Sequence, residues 1–285
     1  MKKTNISALL LAALLLIQLL CAPVSAVTAE PAADAQADAQ TASDNSAEDA
    51  SAEADSVPED QLLSSREQFS VAAKAALLID LNTNRVVYEQ DADERVYPAS
   101  LTKIMTCLIA LENGNLSDVV TVSESALADL DEDSSVAGLV VGEQMTLENL
   151  LYCMMVVSGN DACNVIAEHV AGSVTDFVRM MNQRAYELGC TNTHFVNPSG
   201  LPNEEHYTSA HDMALIMREG LKNKKFRKII GATDYVIEPT NKNSESRVLH
   251  THHPMLAPES GYYYKGCIGG KTGYTSAAAN TLVTA

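Results

Sequence analysis

The 285-residue chain has no CxxC pair and no surplus of positive charge, and between residues 27 and 61 it has no basic residue at all. Without closely spaced cysteine pairs there is no thiolate framework for structural zinc or dithiol redox chemistry. With 19 Lys and Arg against 37 Asp and Glu, a net charge of −18 repels a phosphate backbone, so nucleic acid is not expected as a partner. Residues 27–65 are also nearly devoid of bulky apolar side chains and rich in Ala, Asp, Glu, Ser and Gln. Such a segment cannot bury enough surface to offset the entropy of ordering, which excludes a core there and predicts a disordered acidic spacer. Removing its ten acids and the two lysines at the start of the chain from −18 leaves −10 for the remainder.

Three segments follow from these absences and from what surrounds them. Residues 1–26 combine Lys2 and Lys3, an apolar run over residues 6–20, and Val24-Ser25-Ala26 as a small-residue cleavage site. That is a secretory signal, and it places the mature protein outside the cytoplasm. The run is short for a bilayer span, which leaves an uncleaved anchor as the alternative, and Leu20 is too bulky for Cys21 to sit in a lipidation motif. Residues 66–285 then supply about 220 residues, enough for one well-packed domain.

The chemistry-bearing stretch of that domain is Tyr97-Pro98-Ala99-Ser100-Leu101-Thr102-Lys103. Pro98 discourages helix upstream, while Leu101, Ile104, Met105, Leu108 and Ile109 recur at helical spacing until Gly114. The pattern predicts a buried helix opened by Ser100, with Lys103 one turn on and on the same face. A serine hydroxyl beside a lysine amine is a nucleophile beside a base. Alone, SxxK equally describes a helix cap followed by a solvated lysine. Two more motifs decide between them: Ser158-Gly159-Asn160 and, after Ile268-Gly269-Gly270, Lys271-Thr272-Gly273. SxxK, Ser-x-Asn and KTG in this order are the signature set of penicillin-recognising serine enzymes.

The match is closer than that superfamily. SGNDA (residues 158–162), FVNPSGL (195–201), HYTSAHDMALI (206–216) and GGKTGYT (269–275) resemble the serine-type D-alanyl-D-alanine carboxypeptidases, the low-molecular-mass penicillin-binding proteins. SGN where class A β-lactamases carry SDN, and no ExxLN after Asn160, favour the carboxypeptidase branch over the β-lactamase alternative. An inactive wall-binding or sensing module is the second alternative, against which the intact motifs speak. The resemblance implies an α+β, β-lactamase/transpeptidase-like fold, an antiparallel sheet flanked by helices, with no cofactor. It implies Ser100 as nucleophile, Lys103 as base, helped by burial or by the charge of Lys271, and Ser158 as proton relay. Asn160 would hold substrate backbone, Lys271, Thr272 and Gly273 the terminal carboxylate end, and the N–H groups of Ser100 and Tyr274 the oxyanion. The implied partners are peptidoglycan pentapeptides ending in D-Ala-D-Ala, and β-lactams. Membrane attachment is an option for an intact parent.

Other elements are read from pattern. Residues 75–80 and 85–89 form a hairpin turned by asparagines, residues 119–122 a short strand, and residues 135–141 a loop or hairpin. Helices are expected over residues 146–157, 161–170, 174–188 and from His211, the last capped by Ser209, with SGN on a connection between helices. Lys222 to Lys228 reads as a solvated face, with attraction of an anionic wall polymer as the alternative. His250, His252 and His253 lack carboxylate or thiolate neighbours in zinc-site spacing, so no metal is expected. Cys107, Cys153 and Cys163 fall in helical patterns as small apolar residues, and a disulfide among the five later cysteines stays open. In the resembled fold KTG lies on the third of five strands. Residues 280–285 read as the start of the fourth, so the sheet is expected to be C-terminally incomplete and split.

Overall fold

The computed structural model describes residues 70–128, 130 and 134–285; the expected signal and spacer lie outside the described residues. Its centre is helix α1 (Thr102–Asn113), in which every residue from Thr102 to Ala110 is buried. A helix buried on all sides needs neighbours on all sides. They are α3 (Leu147–Val156), α4 (Asn160–Ala171), α5 (Val174–Glu187), α6 (Ala210–Gly220) and α7 (Lys224–Ile230), all packed against α1. The short α2 (Glu124–Ala128), which the sequence pattern did not predict, rests on α4. Leu101, Ile104, Met105, Leu150, Leu151, Ile166, Phe177, Phe195 and Phe226 belong to one buried cluster filling the space between these helices.

Capping separates the helices into two kinds. Thr146, Ser173, Ser209 and Asn223 each accept a hydrogen bond from a first-turn amide of α3, α5, α6 and α7. Helices α1 and α4 have no side-chain cap. Ser100 therefore does not open α1 as a cap. It lies in a 3-10 turn, Ala99–Leu101, ahead of the helix, and Asn160 is the first residue of α4 rather than part of a connection. The polar groups at these two helix starts are engaged with each other instead, as described below.

All strand pairing is antiparallel. β1 (Ala76–Asp80) pairs with β2 (Arg85–Gln90), β3 (Val119–Thr121) with β4 (Gln144–Thr146), β5 (Asp234–Ile237) with β6 (Arg247–His250), and β7 (Gly270–Thr275) with β8 (Ala279–Thr284). Among the described residues these form four two-stranded sheets, and no ladder joins the β1–β2 hairpin to the β7–β8 hairpin. The sheet, expected to be split, is thus present as two separate hairpins, both of which touch α6. Residues 135–141 contain no strand, whereas β4, just beyond them, completes a hairpin that the sequence did not reveal.

The basic run on α7 is less free than a solvated face. Phe226, Ile229 and Ile230 are buried, and Lys225 and Lys222 pair with Glu148 and Glu219. All five described cysteines are free thiols. Burial pushes Cys153 up to about 12 and Cys163 up to about 11, as befits small apolar residues of the core. No helix among the described residues is long and apolar enough to cross a membrane.

Candidate active site

Ser100, Lys103, Ser158 and Asn160 converge at the start of α1. The Lys103 ammonium donates to Ser100 Oγ at 2.9 Å, to Asn160 Oδ1 at 2.7 Å and to the Ser199 carbonyl at 2.7 Å. Ser158 Oγ donates to Ser100 Oγ at 3.0 Å. Lys103 is fully buried, so these three acceptors are what its nitrogen has in place of water. The set suits a base. A neutral amine keeps two N–H groups for Asn160 Oδ1 and Ser199 O, and its lone pair then faces the Ser100 hydroxyl. Burial also holds the Lys103 pKa below the usual lysine range, against the opposing pull of Cys163 and Asp161.

The backbone around Ser100 is strained. Ala99 and Ser158 have φ of 49° and 62°, a region non-glycine residues seldom occupy. Such strain persists where surrounding contacts over-determine it. At Ser158 those contacts include the Gly159 amide on Cys153 O and the Asn160 amide on Ser135 O. Buried Asp161 adds the amides of Ala137 and Leu139, drawing the loop over SGN. At Ala99 the neighbour is β7: a Cβ on Gly273 would lie 2.8 Å from Ser100 N and 3.2 Å from Ala99 Cβ. The strand bearing Lys271, Thr272, Gly273 and Tyr274 thus runs beside the Ser100 amide, and Thr281 of β8 bonds Pro98 O at 3.1 Å. Lys271 is buried and donates to Thr272 O at 2.7 Å. Its burial, then the Lys103 charge, lower its pKa to about 7. Repulsion between the two lysines therefore registers on Lys271, while burial itself is what depresses Lys103.

A family model described as D-alanyl-D-alanine carboxypeptidase matches residues 62–285. The chain belongs to this peptidase family. Its relatives include the Bacillus subtilis D-alanyl-D-alanine carboxypeptidase DacF, 41% identical over 216 residues, covering 74% of this chain and 53% of that protein. The Mycobacterium tuberculosis carboxypeptidase DacB2 is 33% identical over 74% of this chain and 69% of its own length. The chain thus spans about half the length of DacF. Among solved structures, the Streptomyces K15 DD-transpeptidase superposes with a TM-score of 0.68 at 30% identity, covering 76% of this chain and 85% of that one. The carboxypeptidase family and its penicillin-binding fold are the ones the motifs implied.

Several members of the site lie in FVNPSGL, a stretch whose pattern carried no sign of what they do. Ser199 contributes a backbone carbonyl, while its hydroxyl donates to Asn197 Oδ1 and accepts from the Leu201 amide. Asn197 Oδ1 accepts from the Ser199 and Gly200 amides and folds that loop back toward α1, where Thr106 Oγ1 bonds Pro198 O at 2.7 Å. FVNPSGL carried the family resemblance without a role, and these contacts supply one. Of the three histidines near Pro254, His250 pairs with Asp234, while His252 and His253 sit close enough to Lys271 to feel its charge, His253 buried behind Gly270.

Proposed function

We propose that this protein removes the terminal D-alanine from peptidoglycan stem peptides through an acyl-enzyme on Ser100. The observation that carries the reading is Lys103 Nζ, buried and 2.9 Å from Ser100 Oγ with two further acceptors in place. Ser100 Oγ attacks the carbonyl carbon of the penultimate D-alanine, and Lys103 takes the hydroxyl proton. The peptide C–N bond breaks, the leaving amine receives a proton through Ser158, and water then cleaves the Ser100 ester. With Oδ1 occupied by Lys103, Asn160 offers its Nδ2 to substrate backbone. The N–H groups of Ser100 and Tyr274 serve the oxyanion, one such donor being worth about 3 kcal/mol of barrier. Lys271, with Thr272 and Gly273, takes the free carboxylate, which selects a C-terminal residue. The secretory signal expected from residues 1–26 fits work at the extracytoplasmic wall.

The test is D-alanine release from a pentapeptide ending in D-Ala-D-Ala, alongside mass spectrometry after benzylpenicillin treatment. A long-lived penicilloyl adduct on Ser100 with D-alanine release is the expected outcome. Fast steady-state penicillin hydrolysis would instead make it a β-lactamase, and a folded chain without adduct or release an inactive module.

A pH dependence follows from Lys271. Its pKa lies near 7 in the free protein, so the cation that meets the substrate carboxylate is lost as pH rises through that value. KM for the pentapeptide is expected to climb by up to roughly tenfold per pH unit above it. Lys271→Arg, charged throughout, should flatten that climb between pH 7 and 9. A wild-type KM that stays level over this range would remove Lys271 from carboxylate binding.

A further inference from the structure

HYTSAHDMALI marks the family, yet the proposed chemistry uses none of it. Its first residue, His206, is 2% exposed, and its ring is fully engaged. Nε2 lies 2.8 Å from Thr102 Oγ1, at the first residue of α1, and Nδ1 lies 3.3 Å from the Val196 amide nitrogen. An amide N–H can only donate, so Nδ1 accepts. The ring proton then sits on Nε2, and Thr102 Oγ1 is its acceptor. Phe195 meets the ring edge-on with centroids 5.6 Å apart. Burial first, and the nearby His194 second, lower the His206 pKa to about 4, so the ring holds this one neutral tautomer at neutral pH.

The two anchors of the ring are the two pieces that must stay in register for Lys103 to work. Thr102 adjoins Lys103 on α1, and Val196 begins the loop whose Pro198 and Ser199 carbonyls receive Thr106 and Lys103. Should that loop slide along α1, the Ser199 carbonyl would drag the Lys103 amine away from Ser100 Oγ.

We propose that His206 is a positioning residue for acylation, clamping the loop of Pro198 and Ser199 to the first turn of α1 through Thr102 and Val196 so that the Lys103 amine faces Ser100. The proposal rests on Lys103 as the base, and wild-type adduct formation with D-alanine release tests that reading separately.

The experiment measures penicillin acylation as a rate constant and a dissociation constant for wild type, His206→Ala, His206→Gln, Thr102→Val and the double variant His206→Ala/Thr102→Val, with thermal unfolding of each. The clamp predicts a rate constant lowered about 10- to 100-fold in His206→Ala with the dissociation constant within about twofold of wild type, the signature of a misplaced base. Glutamine, whose Nε2 and Oε1 can donate and accept in place of the ring, should recover most of the rate. Thr102→Val should resemble His206→Ala, and the double variant should be no slower than either single one, because both break one link. The proposal falls if His206→Ala acylates at the wild-type rate, or if its defect lies in the dissociation constant. It also falls if glutamine is as slow as alanine while unfolding cooperatively, or if the Thr102 and His206 effects simply multiply. Should His206→Ala fail to fold, Thr102→Val and His206→Gln carry the same test.

Discussion

Lys103→Met is expected to slow penicillin acylation of Ser100 by about a thousandfold, within the range a positioned general base contributes, while the protein still unfolds cooperatively. Methionine occupies nearly the same volume and is suited to a fully buried position. It removes the base and leaves Asn160 Oδ1 and Ser199 O without their donor, at a cost of about 1–3 kcal/mol each. Against that stands the relief of no longer burying an amine whose charged form burial disfavours. These effects oppose each other in stability and not in rate, so activity and melting temperature should part company. Stopped-flow acylation beside thermal unfolding makes the comparison. Combining Ser100→Ala with Lys103→Met should be no worse than Ser100→Ala alone, because nucleophile and base act as one unit. Acylation of Lys103→Met within tenfold of wild type would mean that another group, Ser158 backed by Lys271 for instance, takes the Ser100 proton.

The parts of this site that the sequence disclosed are those written in side-chain identity. Ser100, Lys103, Ser158 and Asn160 were readable because a hydroxyl, an amine and an amide at fixed separations leave a pattern, and structure brings all four together. Helix α1, the β1–β2 hairpin and the Ser209 cap were readable from apolar period and turn chemistry. Backbone-borne features were not. The third acceptor of Lys103 is a backbone carbonyl, a group that every residue type carries and no motif spells out. The positive φ of Ala99 and Ser158 is imposed by tertiary contacts on residue types that disfavour it, so local propensity points the wrong way. Ser100 misled for a related reason. Serine is a good cap, but here its hydroxyl faces Lys103 and Ser158, and the chain enters α1 through a 3-10 turn instead. The two helices whose first turns build the site lack a side-chain cap because Leu101 and Gly159, with no side-chain acceptor, stand at their N-cap positions.

Gly200→Ala is expected to cost about 3 kcal/mol of stability, taking about 1–2 from the positive φ and the rest from overpacking. Gly200 has φ of 91°, and a Cβ there would lie 1.8 Å from the Ala99 carbonyl oxygen and 3.0 Å from Thr102 Oγ1. Neither side can easily withdraw. The Ala99 carbonyl accepts from the Thr102 amide, and Ala99 Cβ faces Gly273 of β7. On the other side, Gly200 N is held by Asn197 Oδ1 at 2.7 Å, and the Ser199 carbonyl is held by Lys103. Whatever gives way moves either the nucleophile turn or an acceptor of the base, so acylation should fall about a hundredfold, the cost of roughly 1 Å of misplacement. Gly172→Ala separates strain from collision. Gly172 has φ of 80° but nothing within 4 Å of an added Cβ, so that variant suffers the dihedral penalty alone and should acylate normally. Denaturant melts and acylation rates on the two variants therefore read the clash by difference. If both lose the same stability and Gly200→Ala keeps the wild-type rate, then the close approach of the Ser199–Gly200 loop to Ala99 does not help to hold Ser100 and Lys103 in place.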